Sequence, residues 1–494
     1  MKNNLLLRVK ILNWSAGGAV VMLNESLSKS IGVEIDGRVL ISKNSRKTVA
    51  MVDIADGFVK KDEIILSTEA VLALNVKAGD MIKVDLTTHE ESVELIHKKL
   101  SCAPLSYEEL EKVMKDITNN VLVGAEIAYF VAAIYRCGMS LRETVDLTRA
   151  MVDTGVKLNL KKKLIVDKHS IGGVSGRITP IVISICSAAG VTMPKTSSRA
   201  ITSPSGTADC MEVLCNVSFS PAQLRRIIHK TNACIVWGGT LGFAPADDKL
   251  IKVEKMLHLD PEPQLLASII SKKLSVGAKY AIIDIPYGVT AKVKDKSDAL
   301  KLEKKFESVG KKVGIKLKCF LFHEREPRGS GVGPLLEAKE VIEVLSGRSE
   351  GHHMRRLAIE MSADIFELIG KCKKGKGKFL AQEILSSGKA YEKFKEIVKA
   401  QGGDPKKFSS LKPGKFSKDI IAEKNFTIKN IDIKRINQTA IIAGCPSRKA
   451  SGLYLYKHLG DKVIKGEKIT TIYSQSAAEL KEAVNFFVRV NPIA

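Results

Sequence analysis

The chain has 494 residues, of which 45% are apolar and 27% are charged, a composition typical of a globular protein with two to four domains. No apolar run resembles a signal peptide or could span a bilayer, so we predict a cytoplasmic protein that does not bind membranes. The net charge of +24 raises nucleic acid as a partner, but aromatic residues make up only 5% of the chain and offer few platforms for base stacking. We therefore favour a solvated lysine-rich surface and expect no nucleic acid partner. A basic funnel that attracts a small polyanionic substrate is the alternative.

The cysteine and histidine residues give no metal-site signal. No two cysteines have Cys-x-x-Cys spacing, and the histidines are equally dispersed. Scattered thiols in odd number are typical of a reducing compartment. We therefore expect no metal. The cysteines are Cys102, Cys137, Cys186, Cys210, Cys215, Cys234, Cys319, Cys372 and Cys445.

Residues 1–84 are strand-like and contain a weak internal repeat. Residues 24–41 and 67–84 share a pattern of strand, short helical turn and strand. A duplicated unit of this size predicts a small closed β barrel with pseudo-twofold symmetry, because closure removes exposed strand edges. This N-terminal domain resembles double-psi β-barrels. It contains no obvious catalytic cluster, so we expect a role in assembly or packing.

Residues 85–160 are predicted to form an all-helical domain. Ser106 and Ser140 each begin a capping box with a glutamate three residues later, and such boxes mark the first turn of a helix. Apolar residues after Ser106 recur at helical spacing, and a further helix is predicted over residues 125–135. The last helix of this group is expected to end at Gly155.

Residues 161–350 show apolar strands that alternate with amphipathic helices. This alternation predicts an α/β domain with a mostly parallel sheet, and ligands bind such sheets beyond the carboxyl ends of the strands. The predicted strands are 164–166, 191–193, 233–237, 281–285 and 315–322, and the predicted helices are 178–189, 220–230, 247–257, 264–274 and 295–310. Residues 351–494 begin with a lysine-rich stretch and are predicted to form a C-terminal α+β region. The whole chain is therefore predicted to be a multidomain α/β protein.

Two loops of the α/β domain have the composition of anion sites. The first is Asp167-Lys168-His169-Ser170-Ile171-Gly172-Gly173, and the second runs from Lys195 to Thr207. Each joins a predicted strand to a predicted helix, and the N–H groups at a helix start attract anions such as phosphate. Neither loop is a Walker loop, and no Gly-x-Gly-x-x-Gly opens a helix, so a kinase or a dehydrogenase is disfavoured.

These loops resemble those of the thymidine and pyrimidine nucleoside phosphorylase family. The resemblance is carried by residues 168–173, by Ser197-Ser198-Arg199 with Gly206-Thr207, and by a helical segment from Ala125 to Gly155. The string from Ser197 to Asp209 is closer to one branch, the archaeal AMP phosphorylases, and the resemblance covers nearly the whole chain. It implies that a nucleoside monophosphate and phosphate give ribose 1,5-bisphosphate and free base, without a cofactor. It also implies a homo-dimer or a larger homo-oligomer.

The resemblance further implies which residues bind the substrates. The implied ligands of inorganic phosphate are the cation of Lys168 and the hydroxyl groups of Ser170, Ser197 and Thr207. The cations expected at the 5′-phosphate are Arg199 and Lys292. The implied AMP-binding positions are Gly172, Gly173, Ser198, Arg199, Ala200, Ile201, Thr202, Ser203, Thr207, Ser268 and Lys292.

Asp260 falls at the position of the proton donor in AMP phosphorylases, where it would protonate the departing base. A carboxylic acid that keeps its proton near neutral pH needs burial or a neighbouring carboxylate to raise its pKa. Without the resemblance, Asp260 is better interpreted as a helix N-cap beside Pro261. Two interpretations of His169 also stay open, since it either orients the sugar or base or makes a backbone hydrogen bond as a loop residue.

Two departures from the family pattern bear on substrate and phosphate binding. Thymidine phosphorylases carry an arginine that grips the pyrimidine, whereas a residue near Val253 stands there in this chain, which favours the nucleotide branch. The family's Asn-Lys pair after Gly-Gly is replaced by a run in which Arg177 lies one position earlier, and whether Arg177 substitutes for the lysine stays open. The alternatives that we keep are a nucleoside phosphorylase that needs no 5′-phosphate and a nucleic-acid-binding protein.

Overall fold

The structure is a computed structural model that describes residues 5–86, 91–162, 164–172, 176–200, 203–289, 291–348 and 353–494, with only the backbone at residue 240. The chain divides into two compact units. The first comprises Met1–Gly155 and Ala244–Ser268, and the second comprises Val156–Phe243 and Ile269–Ala494.

The N-terminal part of the first unit is a closed barrel. Its elements are β1 (Leu5–Ile11), β2 (Val20–Asn24), α1 (Glu25–Ile31), β3 (Arg38–Lys43), β4 (Arg46–Ala55), β5 (Glu63–Leu66), α2 (Thr68–Leu74) and β6 (Met81–Leu86). The strands follow the order β1-β5-β2-β4-β3-β6 around the barrel. Asn24 and Ser67 cap the two helices with their side chains, and Gly32 and Asn75 end them in the left-handed conformation. The predicted barrel, built from a repeated strand–helix–strand unit, is therefore confirmed.

The rest of the first unit is helical. The barrel is followed by α3 (Glu91–Leu100), α4 (Tyr107–Thr118), α5 (Gly124–Cys137) and α6 (Leu141–Asp153). Ser106 and Ser140 form the predicted capping boxes at the starts of α4 and α6. A disulfide joins Cys102 to Cys137, and the other seven cysteines in the described part of the chain form no disulfide. The dispersed spacing did not predict this pair, because helix packing brings together two residues that are 35 positions apart.

A parallel sheet forms the centre of the second unit. In chain order the elements after α6 are β7 (Val166–Ser170), α7 (Ile178–Ala188), β8 (Met193–Ser197), α8 (Thr207–Glu212), α9 (Pro221–Thr231), β9 (Ala233–Trp237), a 3₁₀ turn (Gly238–Thr240), α10 (Pro245–Leu257), α11 (Glu262–Ser275), β10 (Tyr280–Tyr287), α12 (Lys296–Val313), β11 (Lys316–His323), β12 (Gly331–Val332) and α13 (Pro334–Leu345). Of these, α10 and the part of α11 up to Ser268 belong to the first unit. Strands β11, β10 and β7 pair in parallel, as do β8 and β9, and a parallel bridge between Ile165 and Thr192 joins the two sets. The predicted mostly parallel sheet is therefore confirmed.

Helices cover both faces of this sheet. Alternate residues of β9 enter different apolar clusters, with Ala233 and Ile235 in one and Cys234 and Val236 in the other. Because successive side chains of a strand point to opposite faces, the two clusters lie on opposite sides of the sheet. The first cluster includes much of α7, and the second includes α9.

The C-terminal residues divide between the sheet's core and a smaller sheet. The elements are α14 (His353–Leu368), α15 (Gly377–Ser386), α16 (Lys389–Ala400), a 3₁₀ turn (Pro405–Ser410), β13 (Phe416–Ile421), β14 (Phe426–Thr427), α17 (Ile433–Ile442), β15 (Gly452–Leu455), β16 (Lys462–Val463), β17 (Lys468–Ser474) and α18 (Ala477–Val490). Helices α14 to α16 pack in the apolar cluster of α7, so the core continues past the predicted domain boundary at residue 350. Strands β12, β15, β17 and β13 form the smaller sheet. In the described ranges, no helix combines the length and hydropathy needed to cross a membrane.

His458 connects the smaller sheet's region to the segment that precedes β12. Its Nδ1 lies 3.0 Å from Glu326 Oε2, and its Nε2 lies 2.9 Å from Ser330 Oγ. The hydrogen bond with Glu326 raises the pKa of His458, although burial opposes this shift.

A pH-dependent contribution to stability follows from this raised pKa. The contribution is complete below the unfolded pKa of about 6.5 and is lost as the pH rises through the higher folded value. Between pH 6 and pH 9 we expect the free energy of unfolding of the wild type to fall by up to about 1 kcal/mol more than that of His458→Asn. The difference is small because solvent screens a partly exposed ion pair. The histidine side chain is 36% exposed. Urea unfolding at both pH values measures this difference, and equal pH dependence in the two proteins would contradict it.

Candidate active site

Lys168 is a buried cation at the centre of the second unit. It lies on β7, which pairs in parallel with β10, and its side chain is 1% exposed. Its Nζ donates to Thr179 Oγ1 at 2.9 Å and lies 3.5 Å from Asp284 Oδ2. Burial lowers the pKa of Lys168 to about 8, while the charge of Asp284 opposes this shift. An ammonium has three N–H donors, and Thr179 and Asp284 accept from two of them, so the third can bind an anion.

Asp284 anchors Lys168, and Arg328 anchors Asp284. Arg328 donates to both oxygens of Asp284, from Nη1 at 2.6 Å and from Nη2 at 3.2 Å, and its Nε donates to Glu324. Burial alone would raise the pKa of Asp284, but the charges of Arg328 and Lys168 outweigh it and lower that pKa. Burial raises the pKa of Glu324 to about 7. Ser170 also hydrogen-bonds Asp284, so one carboxylate positions two of the predicted phosphate ligands.

A second buried cluster surrounds Asp167 on β7. Lys273 Nζ donates to Asp167 Oδ2 at 2.9 Å and lies 3.4 Å from His169 Nδ1. Lys195 Nζ is 4.0 Å from Asp167 Oδ1. Burial, and then the charges of nearby lysines, hold the pKa of His169 well below its usual range, so its imidazole is neutral. The ring contacts the Lys273 ammonium, and its role in orienting the substrate stays a prediction.

The loop after β8 is folded back onto the start of α8. Asp209 Oδ2 accepts hydrogen bonds from the backbone N–H groups of Ala200 at 2.7 Å and Gly206 at 2.9 Å. Glycine is required at position 206, because a Cβ there would lie 2.6 Å from the carbonyl oxygen of Ser198. The predicted phosphate ligand Thr207 is the first residue of α8 and therefore stands at the end of this loop.

Arg199 forms ion pairs that support the same loop. Its Nη1 and Nη2 donate to Glu212 at 2.7 Å and 2.6 Å, and Nη1 also donates to Asp209 at 3.3 Å. The guanidinium lies 4.8 Å from the ring centre of Trp237. Hydrogen bonding to Glu212 is the main cause that raises the pKa of Arg199 further. Two carboxylates thus neutralise Arg199, and its contact with a 5′-phosphate stays a prediction.

Replacement of Arg199 separates a supporting role from a ligand role. We expect Arg199→Leu to lower the free energy of unfolding by about 1 kcal/mol, the order expected for a partly exposed bidentate pair. We expect the KM for AMP to change by less than about threefold, or ~0.7 kcal/mol. Denaturant unfolding and steady-state kinetics measure the two effects, with Arg226→Leu on the exposed side of α9 as the control. A rise of tenfold or more in the AMP KM would make Arg199 a 5′-phosphate ligand.

Arg177 supports this loop from α7. Its Nε donates to Glu337, its Nη2 donates to the carbonyl oxygen of Ser205, and the same Nη2 lies 3.4 Å from Ser203 Oγ. Glu337 is completely buried on α13, and burial raises its pKa against the opposing charge of Arg177. The sequence left the role of Arg177 open, and the structure shows it bonded to the loop that carries the predicted AMP-binding residues.

The other predicted ligands of the second unit follow strands β7, β8 and β10. Gly172 has a φ of 89° and donates its backbone N–H to Ser170 Oγ at 3.4 Å. Ser197 ends β8 and is 9% exposed. Lys292 is exposed and follows β10. The predicted positions Gly173, Ile201 and Thr202 lie outside the described residues.

Asp260 and Ser268 belong to the first unit. Helix α11 begins at Glu262, and its first backbone hydrogen bond is donated by the Leu265 N–H to the Pro261 carbonyl. Pro261 is therefore the N-cap residue, and Asp260 precedes it. Asp260 is exposed, and the burial expected of a proton donor would have to come from bound substrate. Ser268 is buried, and its hydroxyl donates to Asp247 Oδ2 at 2.9 Å.

Three segments of the chain match known families. Residues 93–155 match the glycosyl transferase family helical bundle domain, residues 162–278 match the a/b domain of that family, and residues 427–494 match the pyrimidine nucleoside phosphorylase C-terminal domain. The AMP phosphorylase of Methanococcus vannielii is 39% identical over 99% of this chain and 97% of that protein. The chain belongs to the family of AMP phosphorylases and pyrimidine nucleoside phosphorylases. The predicted family is therefore confirmed.

A further relative agrees with this assignment, and two solved structures share the fold. A putative thymidine phosphorylase of Legionella pneumophila is 39% identical over 94% of this chain and 90% of that protein. The anthranilate phosphoribosyltransferase structure from Thermus thermophilus covers 63% of this chain and 99% of its own, with a TM-score of 0.52 at 18% identity. The structure of that enzyme from Saccharomyces cerevisiae covers 65% and 99%, with a TM-score of 0.52 at 15% identity. These two structural likenesses show the fold alone.

Sequence reasoning did not select several residues that position Lys168. The sequence did contain a signal for Asp284, since this carboxylate interrupts an otherwise apolar strand. Thr179 and Arg328 had none, and Arg328 is 44 positions from its partner Asp284. In the described residues, no group of three or more histidine, cysteine, aspartate or glutamate side chains could hold a metal ion.

Proposed function

We propose that the protein catalyses phosphorolysis of nucleoside 5′-monophosphates, with AMP as the main substrate and CMP and UMP as further substrates. Inorganic phosphate replaces the base on C1′ of the ribose, and the products are ribose 1,5-bisphosphate and the free base. The observation that carries this proposal is the full-length similarity to AMP phosphorylases. The buried Lys168 and Ser197 and the half-buried Ser170, on β7 and β8, supply the anion-binding chemistry that the reaction needs.

The attacking phosphate is held by Lys168, Ser170 and Ser197, with Thr207 at the start of α8. A phosphate oxygen forms a bond to C1′ as the C1′–N bond breaks, and positive charge develops on the sugar in the transition state. The bound anion stabilises that charge. Each buried charge-assisted hydrogen bond to the phosphate contributes roughly 1.5–3 kcal/mol.

The departing base keeps the electron pair of the broken bond and takes a proton from Asp260. The assignment of Asp260 comes from the family position, and Ser268 and Lys292 are assigned to the nucleotide in the same way. Lys292 supplies a cation for the 5′-phosphate. This division of roles makes phosphate binding and base protonation separable by mutation.

Incubation of the protein with AMP and phosphate, followed by chromatography, tests the proposal. We expect phosphate-dependent release of adenine together with ribose 1,5-bisphosphate. Adenosine should react at least about tenfold more slowly, because a site that binds a 5′-phosphate is left with unpaired polar groups when that group is missing. The same comparison applies to CMP and cytidine. Equal rates with adenosine would indicate a nucleoside phosphorylase, and no release from AMP would overturn the proposal.

A thymidine phosphorylase is the second candidate, because the Legionella relative carries that name. The position near Val253 argues against it. Val253 is 4% exposed and lies in an apolar cluster with Ala246 and Leu250, so it offers no cation to a pyrimidine. We expect no thymine from thymidine and phosphate, and efficient thymine release would favour this candidate instead.

We also propose a homo-dimer or larger homo-oligomer, which light scattering of the full chain tests. Despite the net charge of +24, we propose no nucleic acid partner. A titration with duplex and single-stranded DNA tests this, because a basic binding surface would make the affinity fall steeply as the salt concentration rises. We expect no such dependence.

A further inference from the structure

Lys195 is a buried lysine that none of the assigned roles uses. It lies on β8, two residues before the predicted phosphate ligand Ser197, and its exposure is 5%. Strands β7 and β8 are parallel neighbours, and the two anion loops follow their carboxyl ends. Lys195 therefore lies two residues from the carboxyl end of β8, the edge at which parallel-sheet proteins bind ligands.

The ion cluster around Lys195 has more positive than negative charge. Lys195 and Lys273 share the single carboxylate of Asp167, and Lys273 takes the close contact at 2.9 Å. In the described part of the chain, the Lys195 ammonium donates no hydrogen bond, and its carboxylate contact is 4.0 Å long. His169 adds no charge, because burial and the lysines lower its pKa, and Lys168 and Lys272 add further positive charge nearby. The Lys195 ammonium thus lacks a close counter-ion, and burial lowers the pKa of Lys195 to about 7, a shift that a bound anion would reverse.

Lys99 shows how this chain otherwise buries a lysine. Its side chain is 2% exposed, and its Nζ donates to Glu143 at 2.7 Å. A buried ammonium normally requires such a partner, since an unpaired charge is costly in an apolar interior. The contrast indicates that the partner of Lys195 is a group outside the chain.

Ser197 provides a second donor beside Lys195. Residues two apart on a strand point to the same face, so the two side chains share one side of β8. The Ser197 Oγ is buried and has no hydrogen-bond partner among the described residues. An unsatisfied buried hydroxyl carries a free-energy penalty, which a bound oxyanion would remove.

We propose that Lys195 and Ser197 form a subsite for a phosphate group, in which the ammonium and the hydroxyl donate to its oxygens. The ligand is a phosphate dianion. It is either the inorganic phosphate to which Ser197 is assigned above, which Lys195 would then bind together with Lys168, or the 5′-phosphate of the nucleotide, in which case Ser197 serves that group instead. The proposal rests on the proposed function, because it names a residue that binds one of that reaction's two phosphate groups. Lys195 supplies a cation at a position where the charge of Arg199 is already paired with Glu212.

Isothermal titration of Lys195→Met and Lys195→Gln with inorganic phosphate, and separately with AMP, tests the subsite without turnover. We expect the Kd of one ligand to rise at least tenfold in both variants and to recover partly in Lys195→Arg. Lys230→Met is the control, since it removes an exposed lysine of α9 and should leave both Kd values unchanged. Steady-state KM values for phosphate, AMP and adenosine complete the comparison.

The pattern of losses identifies the ligand. A weaker phosphate Kd with unchanged AMP binding assigns the subsite to inorganic phosphate, whereas weaker AMP binding with unchanged adenosine KM assigns it to the 5′-phosphate. Unchanged Kd values for both ligands in a folded Lys195 variant overturn the proposal. A wild type that binds phosphate through Lys195 but releases no base would overturn the proposed function and leave the subsite in place.

Discussion

Asp260→Asn is expected to slow adenine release from AMP by about 10³-fold, within the range that general acid catalysis contributes. Asparagine preserves the size of the side chain but offers no acidic proton, so the base must leave without protonation. The Kd of AMP should stay within about threefold of the wild type, because the proton is needed at bond cleavage and not in binding. Single-turnover base release and calorimetric titration with AMP measure the two quantities.

Two comparisons make this result specific to proton donation. Glu262→Gln removes a nearby carboxylate on the first turn of α11 and should leave turnover close to that of the wild type. A nucleotide with an N7-methylated purine already carries the positive charge that protonation would supply, so its cleavage should be much less sensitive to Asp260→Asn. Near-normal cleavage of AMP by the variant, or equal losses with both nucleotides, would remove Asp260 from this role.

Local sequence signals predicted the scaffold because each acts over a few residues. The capping boxes at Ser106 and Ser140 specify helix starts through bonds between residues three apart, and both occur as predicted. The repeat that contains Asn24 and Ser67 encodes two equivalent strand–helix–strand units, and these close into the barrel. The alternation of strands and helices, which is also a local pattern, predicted the parallel sheet.

The electrostatic organisation of the site could not be predicted in this way. The loops were chosen for their cations, and the partners of those cations lie at very different distances along the chain. Lys168 contacts Asp284, which is 116 positions away, whereas Arg199 bonds to Glu212, which is 13 positions away. A local pattern shows that a cation is present but does not show whether its charge is already paired. The sequence therefore predicted Arg199 as a 5′-phosphate ligand without showing that its charge is paired with Glu212 and Asp209.

Lys168→Met is expected to raise the KM for phosphate by about tenfold to 100-fold, the equivalent of one buried charge-assisted hydrogen bond. The variant should fold, because Arg328 still holds both oxygens of Asp284 and no carboxylate is left without a counter-ion. The KM for AMP should change less than the KM for phosphate. Steady-state kinetics with each substrate varied in turn measures this split, and Lys316→Met, on the exposed start of β11, is the control.

The pH dependence of phosphate binding distinguishes the charge of Lys168 from its packing. Because its pKa is lowered to about 8, the ammonium form dominates below that value and is lost as the pH rises. Inorganic phosphate is mainly a dianion at pH 7.5 and fully so at pH 9.5, and this change alone would lower the KM slightly. An increase in the wild-type KM for phosphate between these pH values, which we expect, therefore reports the loss of the ammonium. Lys168→Met has no proton to lose at this position and should show a flatter profile. Parallel pH profiles in the two proteins would mean that Lys168 does not contact the phosphate, even if the variant binds it more weakly.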